Sequence, residues 1–365
     1  MEPYIPTSLP IDMTSWNWQE LAQKISLANR KLAYFDGILS SIVNPTLFLS
    51  PLETKEAVLS SKIEGTITTI DEVLKFEANI KPESIRKQQD IQEVLNYRSA
   101  MRSAINWIER EMPFNVNLIC NIQKELMTGV RGSNKQPGQI RKEQNWIGRQ
   151  GTPIEQATYI PPEPLGLNDH LNNLIKYIDR TDQETIIQTA ILHAQFELLH
   201  PFLDGNGRTG RILIPLFLWQ KKMIKAPVFY ISEYLEANSD SYYDNLKLIS
   251  QKGDWENWVN FFLQAVARQA DQNSLKANQV LSLYQQMKTR IANISNSPHV
   301  IKILDTIFAF PILESTNFIK MTNLNRQTGN RIINRLKDEK ILFTLREAAG
   351  RTPETLIFKD LMNIL

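Results

Sequence analysis

The chain has 365 residues, enough for two or three domains that each have a core. A hydrophobic content of 42% and an aromatic content of 9% are ordinary for a globular protein. Because 41 basic residues nearly balance 39 acidic ones, the overall charge excludes a protein that binds nucleic acid or anionic membranes through net charge alone.

Three features predict a soluble, cytoplasmic protein. The N-terminal segment Met1–Asp12 contains prolines and acidic residues, so it does not resemble a signal peptide. The longest apolar run, Ile212–Trp219, is too short to cross a bilayer, and no membrane contact is expected. A single cysteine excludes an internal disulfide, and we expect Cys120 to be a buried structural thiol.

Changes in residue pattern predict four successive parts of the chain. They are an N-terminal helical region over 1–110, a mainly helical core over 111–272, a polar linker helix over 273–297 and a small domain over 298–365. In the first region, apolar residues recur at helical spacing over Trp16–Leu39 and Ser84–Arg110. These two segments are therefore predicted to be long helices.

A shorter helix is predicted at about 51–65. Ser50 would cap its N-terminus, Pro51 would take its first turn and Glu53 would complete a capping box. Gly65 would end it.

The core has one break in its helical pattern, a stretch rich in Gly and Pro. There, Ile140–Trp146 and Ala157–Ile160 are predicted to pair as a short β-hairpin. Helices are predicted to follow at Gln183–Leu199 and at about Gly207–Lys221. The second is expected to kink at Pro215, which lacks a backbone donor.

The last part has three helical patterns followed by strand-like runs at Ile341–Leu345 and Thr355–Phe358, the order of a winged helix-turn-helix. Residues 298–365 hold 10 basic and 7 acidic residues, a net charge of +3 that is modest for DNA affinity. Target docking or self-association is therefore favoured for this domain. DNA binding is kept as a less favoured alternative, carried by Arg326, Arg331, Arg335 and Arg351.

The segment His200–Arg211 combines the residue types of a polyphosphate site. Gly205 and Gly207 let backbone N–H groups approach an anion at the start of a helix. Arg208 and Arg211 are three residues apart and share a helix face beside that point. Each feature alone is more often a turn or a solvated face, but together they predict a phosphate-binding loop.

Two further residues of this segment add chemistry. Asp204 is a hard oxygen ligand of the kind that binds a Mg²⁺ ion held mainly by phosphates. His200 carries an imidazole, which titrates near neutrality and is suited to accept a proton from an attacking hydroxyl.

The segment resembles the signature of the Fic family, His-x-Phe-x-Asp/Glu-Gly-Asn-Gly-Arg-x-x-Arg, at every specified position. The resemblance implies a mainly α fold: a Fic-type helical bundle with a small β-hairpin flap, plus the C-terminal winged helix-turn-helix domain. It also implies a protein adenylyltransferase. Such an enzyme transfers AMP from Mg·ATP to a Ser, Thr or Tyr hydroxyl of a target protein or of itself, and releases pyrophosphate.

The resemblance assigns roles residue by residue. His200 would be the catalytic base, Asp204 would hold Mg²⁺ between the α- and β-phosphates, and Phe202 would anchor the loop. Arg208 would contact the β-phosphate and Arg211 the γ-phosphate. The nucleotide-binding residues implied in this way are Gly205, Asn206, Gly207, Arg208, Thr209, Gly210, Arg211 and Tyr243.

Two other segments resemble parts of the family fold. Tyr159–Pro162, with the predicted hairpin before it, resembles the flap that aligns the target segment by strand pairing. Ser232–Leu235, followed by Tyr242 and Tyr243, resembles the part that borders the adenine. Tyr243 is our choice for a contact with the base, while simple packing of both tyrosines is the alternative.

The end of the short N-terminal helix resembles the family's inhibitory motif, Ser/Thr-x-x-x-Glu-Gly/Asn, with Ser60, Glu64 and Gly65 at the specified positions. Glu64 lies at the unfavourable end of the helix dipole, which suggests a partner elsewhere in the chain. In the family this glutamate pairs with the second signature arginine, here Arg211, and occupies the space of the γ-phosphate. The resemblance thus implies autoinhibition by an N-terminal helix.

Alternatives remain at this stage. The same residues would serve removal of AMP from a modified protein, or transfer of another group such as UMP or phosphocholine. The intact Gly205–Arg208 argues against a kinase. A homodimer is expected, and neither the target nor the signal that releases Glu64 follows from the sequence.

Overall fold

The computed structural model describes residues 2–40, 45–148, 151, 153–295 and 299–365. The helices are α1 (Trp18–Ser40), α2 (Pro45–Ile63), α3 (Ile70–Glu77), α4 (Ile85–Glu109), α5 (Val116–Leu126), α6 (Leu167–Ile178), α7 (Thr185–Leu199), α8 (Asn206–Gln220), α9 (Ser232–Ala237), α10 (Ser239–Lys252), α11 (Trp255–Ser295), α12 (Val300–Ala309), α13 (Ser315–Thr322), α14 (Arg326–Asp338) and α15 (Lys359–Met362). The strands are β1 (Ile312–Glu314), β2 (Phe343–Arg346) and β3 (Thr355–Ile357). The predicted mainly α fold is therefore observed.

The chain forms two compact units. The first unit comprises Met1–Tyr34, Leu59–Thr66 and Gln92–Asp271. The second comprises Phe35–Val58, Ile67–Ile91 and Gln272–Leu365. All the residues of the candidate site belong to the first unit.

The first unit is built around α7. This helix is apolar on all sides, and almost every residue in it is buried, as expected of a helix surrounded by others. Trp258 on α11 is fully buried and donates from Nε1 to the carbonyl of Ala190, 2.8 Å away. On the same side, His193 stacks on Trp258 and lies 3.0 Å from the Tyr242 hydroxyl, from Nε2 to Oη. The helix that carries His200 at its end is thereby fixed by tight packing.

The second unit contains a small sheet and three helices in the order predicted for a winged helix-turn-helix. Its antiparallel sheet has the order β1-β3-β2, with Ile357 opposite both Ile312 and Phe343. Helix α13 is followed after a short turn by α14, and Asn325 caps α14 by accepting a hydrogen bond from Thr328 N at 2.8 Å. The short strand β1 was not predicted, because three apolar residues between helices give no clear period.

The start of α2 was predicted wrongly. The helix begins at Pro45 rather than at residue 51, so Pro51 lies inside it and Ser50 is not its N-cap. Pro45 suits the first turn of a helix as well as Pro51 does, and the remaining helix tolerates the one missing donor. The predicted end is confirmed: Gly65 has φ +89°, and Thr66 N and Gly65 N donate to the carbonyls of Ser61 and Lys62, closing a Schellman motif.

The predicted hairpin is reduced to a single bridge, between Ile147 and Tyr159. The segment before it does not pair as a strand, and its side chains bind other backbone groups. Gln144 donates to Pro161 O at 2.9 Å, and Asn145 donates to Phe202 O at 3.1 Å.

Three smaller expectations have different outcomes. Helix α8 continues without a break through Pro215, and the kink stays a prediction. Helix α11 runs on to Ser295 through most of the predicted linker, while residues 296–298 lie outside the described residues. Cys120 is only half-buried, and burial raises its pKa.

Candidate active site

The predicted phosphate loop connects the end of α7 to the start of α8. His200 ends α7 in the left-handed conformation, with φ +46°, and Gly205, with φ +78°, precedes α8. Asn206 closes the loop: its Oδ1 accepts from Phe202 N at 2.9 Å and its Nδ2 donates to Phe202 O at 2.8 Å. The Asn206 amide is thus engaged in loop structure, and Phe202 is buried as expected.

Arg141 is a buried residue that sequence reasoning missed. Its Nε donates to His200 O at 2.9 Å, its Nη1 to Glu143 O at 3.2 Å and its Nη2 to Pro162 O at 2.5 Å. The charge is satisfied by carbonyl dipoles, and desolvation lowers the pKa of Arg141 to about 10. One guanidinium therefore ties the flap segment to the backbone of His200.

Arg211 is bound by both ends of the candidate inhibitory motif. Its Nη2 lies 2.7 Å from Glu64 Oε1 and 2.9 Å from Ser60 O, and its Nε donates to Ser60 Oγ at 2.8 Å. The Arg211 side chain is 1% exposed and that of Glu64 33% exposed. Burial opposes the charge of Arg211, but Glu64 and neighbouring groups outweigh it and leave the pKa of Arg211 above its ordinary value.

Glu64 also covers the start of α8. A Cβ added to Gly207 would lie 2.1 Å from Glu64 Oε1 and 2.9 Å from Arg211 Nη1. The carboxylate therefore lies directly against the glycine whose backbone was predicted to face an anion.

Arg208 has a separate partner, Glu93 on α4. Arg208 Nη1 lies 3.0 Å from Glu93 Oε2, and both side chains are almost fully buried. Nothing in the sequence marks Glu93 as part of the site, since 115 residues separate the pair. Its position on α4 beside Asn96, whose amide binds two backbone carbonyls, shows that this helix face is directed inward.

Asp204 was predicted to be the Mg²⁺ ligand. Its Oδ1 accepts from Gly205 N at 2.7 Å, and its Oδ2 lies 3.2 Å from Lys135 Nζ. The Asp204 carboxylate is 29% exposed and Lys135 is 50% exposed. The lysine is therefore a surface residue, and a metal ion can replace it as the partner of the carboxylate. Among the described residues no cluster of three metal-binding side chains occurs. A lone, accessible carboxylate beside a phosphate-binding loop fits a Mg²⁺ bound chiefly by phosphates.

Two titratable groups on α7 have displaced pKa values. Desolvation lowers the pKa of His200 to about 4, opposed by the Glu197 carbonyl and by the charges of Glu64 and Asp204. His200 is therefore neutral at pH 7, as a general base must be. Desolvation raises the pKa of Glu197 to about 8, opposed by Arg211 and reinforced by Glu64, so this carboxyl is largely protonated at pH 7.

A cavity of about 310 Å³ lies beside this site. Its wall is mostly apolar and includes the bridged residues of the flap, Ile147 and Tyr159, together with Tyr243 and Leu246 of α10. Burial, followed by the charge of Glu64, raises the pKa of Tyr243 to about 12. Its neighbour Tyr242 is fully buried and packs against His193, so the two tyrosines differ: one lines the cavity and the other belongs to the core.

Within the described ranges, every helix is too short or too polar to cross a membrane.

Two regions of the chain that contribute residues to this site match models of known families. Residues 22–106 match the family described as Fic/DOC family N-terminal, and residues 113–218 match the Fic/DOC family. Together the two matches cover more than half of the chain. The chain belongs to the Fic/DOC family.

The fold is similar to that of a crystallised Fic family protein from Desulfovibrio desulfuricans G20. The TM-score is 0.60 at 17% identity, with 98% of each chain covered. This likeness confirms the predicted fold class of a Fic-type helical bundle, and at such identity it concerns the fold alone.

Curated relatives match over shorter stretches. The probable protein adenylyltransferase of Aquifex aeolicus (strain VF5) is 28% identical over 82 residues, which are 22% of this chain and 26% of that protein. The uridine 5'-monophosphate transferase of Xanthomonas campestris pv. campestris (strain 8004) is 26% identical over 151 residues, 38% of this chain and 27% of that protein. The chain thus spans about a quarter of the length of these relatives.

Proposed function

We propose that this Fic/DOC family chain is a protein adenylyltransferase, which transfers AMP from ATP to a Ser, Thr or Tyr hydroxyl of a target protein. The observation that carries the proposal is the pair of buried guanidinium groups, Arg208 and Arg211, at the N-terminus of α8. Two such cations beside the first backbone N–H groups of α8 fit a polyphosphate chain, and neutral His200 lies at the other end of the same loop.

Each group has a role in the proposed reaction. Arg208 and Arg211 bind the β- and γ-phosphates, and the N–H groups of Gly205 and Gly207 form the anion hole. Neutral His200 accepts the proton of the attacking hydroxyl, and the new bond forms at the α-phosphorus as the bond to pyrophosphate breaks. Asp204 would hold Mg²⁺, which supplies positive charge to the phosphates. The adenine lies in the cavity beside Tyr243.

We further propose that Glu64 inhibits the transfer. Arg211 cannot serve Glu64 and a γ-phosphate at once, and the carboxylate also lies against Gly207. ATP that binds beside Glu64 is displaced from the line of attack, and misplacement by about 1 Å is enough to lower a rate about 100-fold. Removing the carboxylate is therefore expected to activate the enzyme.

The test compares the wild type with Glu64→Gly, each supplied with Mg·ATP labelled at the α-phosphate, and measures label on protein. Purified enzyme and cell lysate serve as target sources, with His200→Ala in the Glu64→Gly background as the control. We expect label to rise in Glu64→Gly and to disappear with His200→Ala. Label from γ-labelled ATP alone would instead indicate a kinase.

The donor nucleotide needs its own comparison. One relative is named a uridine 5'-monophosphate transferase, so α-labelled UTP is tested beside α-labelled ATP with the same Glu64→Gly variant. Faster labelling from UTP would overturn the adenine assignment and leave the phosphate site intact. If neither labelled ATP nor labelled UTP labels any protein, the proposed transfer is rejected. Removal of AMP from a modified protein would then be the reaction to measure.

As a second function we propose that α14 binds duplex DNA. Its exposed residues are Arg326, Gln327, Asn330, Arg331, Asn334, Arg335 and, at its C-terminal end, Asp338. Arginine pairs with guanine, and asparagine or glutamine with adenine, in the major groove, and no acidic residue occurs in this helix before Asp338. Arg335 donates to Ile294 O at 2.6 Å and is thus partly engaged.

Selection from a random duplex library tests the DNA proposal with the full chain. We expect one sequence to be enriched, with affinity that falls steeply with salt and is lost in Asn330→Ala/Arg331→Ala. An unenriched library would refute it. Self-association of the chain stays a prediction, and light scattering would measure it.

A further inference from the structure

A buried carboxylate joins the inhibitory segment to the phosphate site. Glu93 is 1% exposed, and its Oε2 accepts two interactions: from Arg208 Nη1 at 3.0 Å and from the Thr66 hydroxyl at 3.1 Å. Its other oxygen, Oε1, faces Arg131 Nη2 at 3.8 Å. A charge buried to this degree is stable only when it is paired and hydrogen-bonded, so all these contacts matter to its position.

The pairing fixes the direction of the Arg208 guanidinium. With Nη1 on Glu93, Nη2 lies 3.7 Å from Asp204 Oδ1 and 3.7 Å from Met127 Sδ. Across the part of the chain that the structure describes, Arg208 Nε has no hydrogen-bond partner, so this N–H is not used by the protein. A guanidinium held in one orientation before the substrate arrives loses less conformational freedom in the transition state.

The same oxygen also fastens the exit of the inhibitory helix. Thr66 follows Gly65 directly, and its own N–H donates to Ser61 O at 3.1 Å. The residue after the inhibitory motif is thus bonded to the helix end by its backbone and to Glu93 by its side chain. The Thr66–Glu93 hydrogen bond therefore opposes any movement of the helix end that would carry Glu64 away from Arg211.

We propose that Glu93 is a positioning residue with two tasks: it orients Arg208 for the phosphates, and through Thr66 it holds the inhibitory helix end closed. The proposal rests on the proposed adenylyl transfer for its first task only. The second task concerns competition between Glu64 and a nucleotide for Arg211, and it is measurable by binding alone.

The first task is tested in the Glu64→Gly background, where the inhibitory contact is absent. Glu93→Gln keeps the shape and removes the charge that orients Arg208. We expect kcat to fall about tenfold or more, while the Kd of Mg·ATP stays unchanged or decreases because a negative charge near the phosphates is lost. A merely structural defect would instead reduce the fraction of active protein, and it would not lower kcat while leaving the Kd of Mg·ATP unchanged or lower.

The matched control for that arm is Asp90→Asn on the same helix. Asp90 is 9% exposed and accepts a hydrogen bond from Ile67 N at 3.2 Å, and both residues belong to the second unit. Its kcat is expected to equal that of the background. A kcat for Glu93→Gln within about twofold of Asp90→Asn would overturn the positioning role.

The second task is tested with Glu64 in place. Thr66→Val removes the hydroxyl that binds Glu93, and Thr68→Val removes a hydroxyl that binds Glu72 at the same 3.1 Å distance outside the site. Calorimetry with the Mg²⁺ complex of an ATP analogue that has a methylene group between the α- and β-phosphorus measures affinity without transfer. We expect Thr66→Val to bind it roughly threefold to tenfold more tightly than Thr68→Val, the range expected for the net contribution of one typical hydrogen bond.

The two arms separate the possible failures. If Glu64→Gly transfers no label, the proposed transfer fails, and the calorimetric comparison still decides the second task. Equal affinities for Thr66→Val and Thr68→Val would overturn the connection to the inhibitory helix. A gain in affinity from Thr66→Val that persists in the Glu64→Gly background would overturn it as well, because no inhibitory contact is left there to weaken.

Discussion

Replacing Glu64 with glutamine is expected to lower the stability of the free protein and to increase the stabilisation that Mg·ATP provides. The variant keeps the size of the side chain but leaves the Arg211 guanidinium, which is 1% exposed, without its carboxylate. Glutamine rather than glycine is chosen because Glu64 lies at the end of α2, where glycine would also change backbone freedom.

The size of the effect follows from the contacts. Breaking a fully buried ion pair costs about 3–5 kcal/mol, whereas an exposed pair contributes below about 1 kcal/mol. Glu64 is 33% exposed and Ser60 still accepts two hydrogen bonds from Arg211, so we expect a loss of about 1–2 kcal/mol. For a unit of this size the melting temperature should fall by roughly 2–8 °C.

The assay is thermal unfolding with and without saturating Mg·ATP. A triphosphate should return the missing negative charge to Arg211, so the ligand-induced shift should be larger in Glu64→Gln than in the wild type. Glu236→Gln is the control, since Glu236 Oε1 lies 2.8 Å from Lys62 Nζ near the same helix end, and the cation of that pair is 55% exposed whereas Arg211 is 1% exposed. An equal loss of stability in both variants, or a smaller nucleotide shift in Glu64→Gln, would refute the reasoning.

Three further outcomes are expected. In Glu64→Gly, kcat/KM should persist to about pH 5 and fall with a midpoint at about 4 or below, because desolvation lowers the pKa of His200 to about 4 and the variant lacks the Glu64 charge that raises it; a midpoint near 6.5 would contradict this. The melting temperature of Glu197→Gln should exceed that of the wild type by an amount that grows from pH 4.5 to 8. The wild type loses stability over this range because folded Glu197, with a pKa of about 8, keeps a proton that the unfolded chain releases above 4.5. A constant difference between the two proteins would argue against that assignment. Tyr242→Phe should cost about 1–3 kcal/mol in denaturant unfolding, because it removes the 3.0 Å contact with buried His193; an unchanged midpoint would refute it.

Much of the fold could be predicted because its signals are local. Helix α7 has an apolar surface on all sides, and α4 and α1 have apolar residues at helical spacing, so their ends were predicted to within about two residues. The turn at Gly65 was predictable for the same reason, since a glycine that ends a helix acts on its own neighbours. The start of α2 was not, because two prolines six residues apart carry the same local signal.

The sequence by itself determined which groups can act: a histidine, an aspartate, three glycines and two arginines within the segment 200–211. Tertiary structure decided which carboxylate meets which arginine. Glu64 reaches Arg211 across 147 residues and Glu93 reaches Arg208 across 115, and Arg141 binds the carbonyl of His200 across 59. Pairings of this kind leave no period or spacing in the chain, because they arise only when separate helices pack and buried charges must find partners.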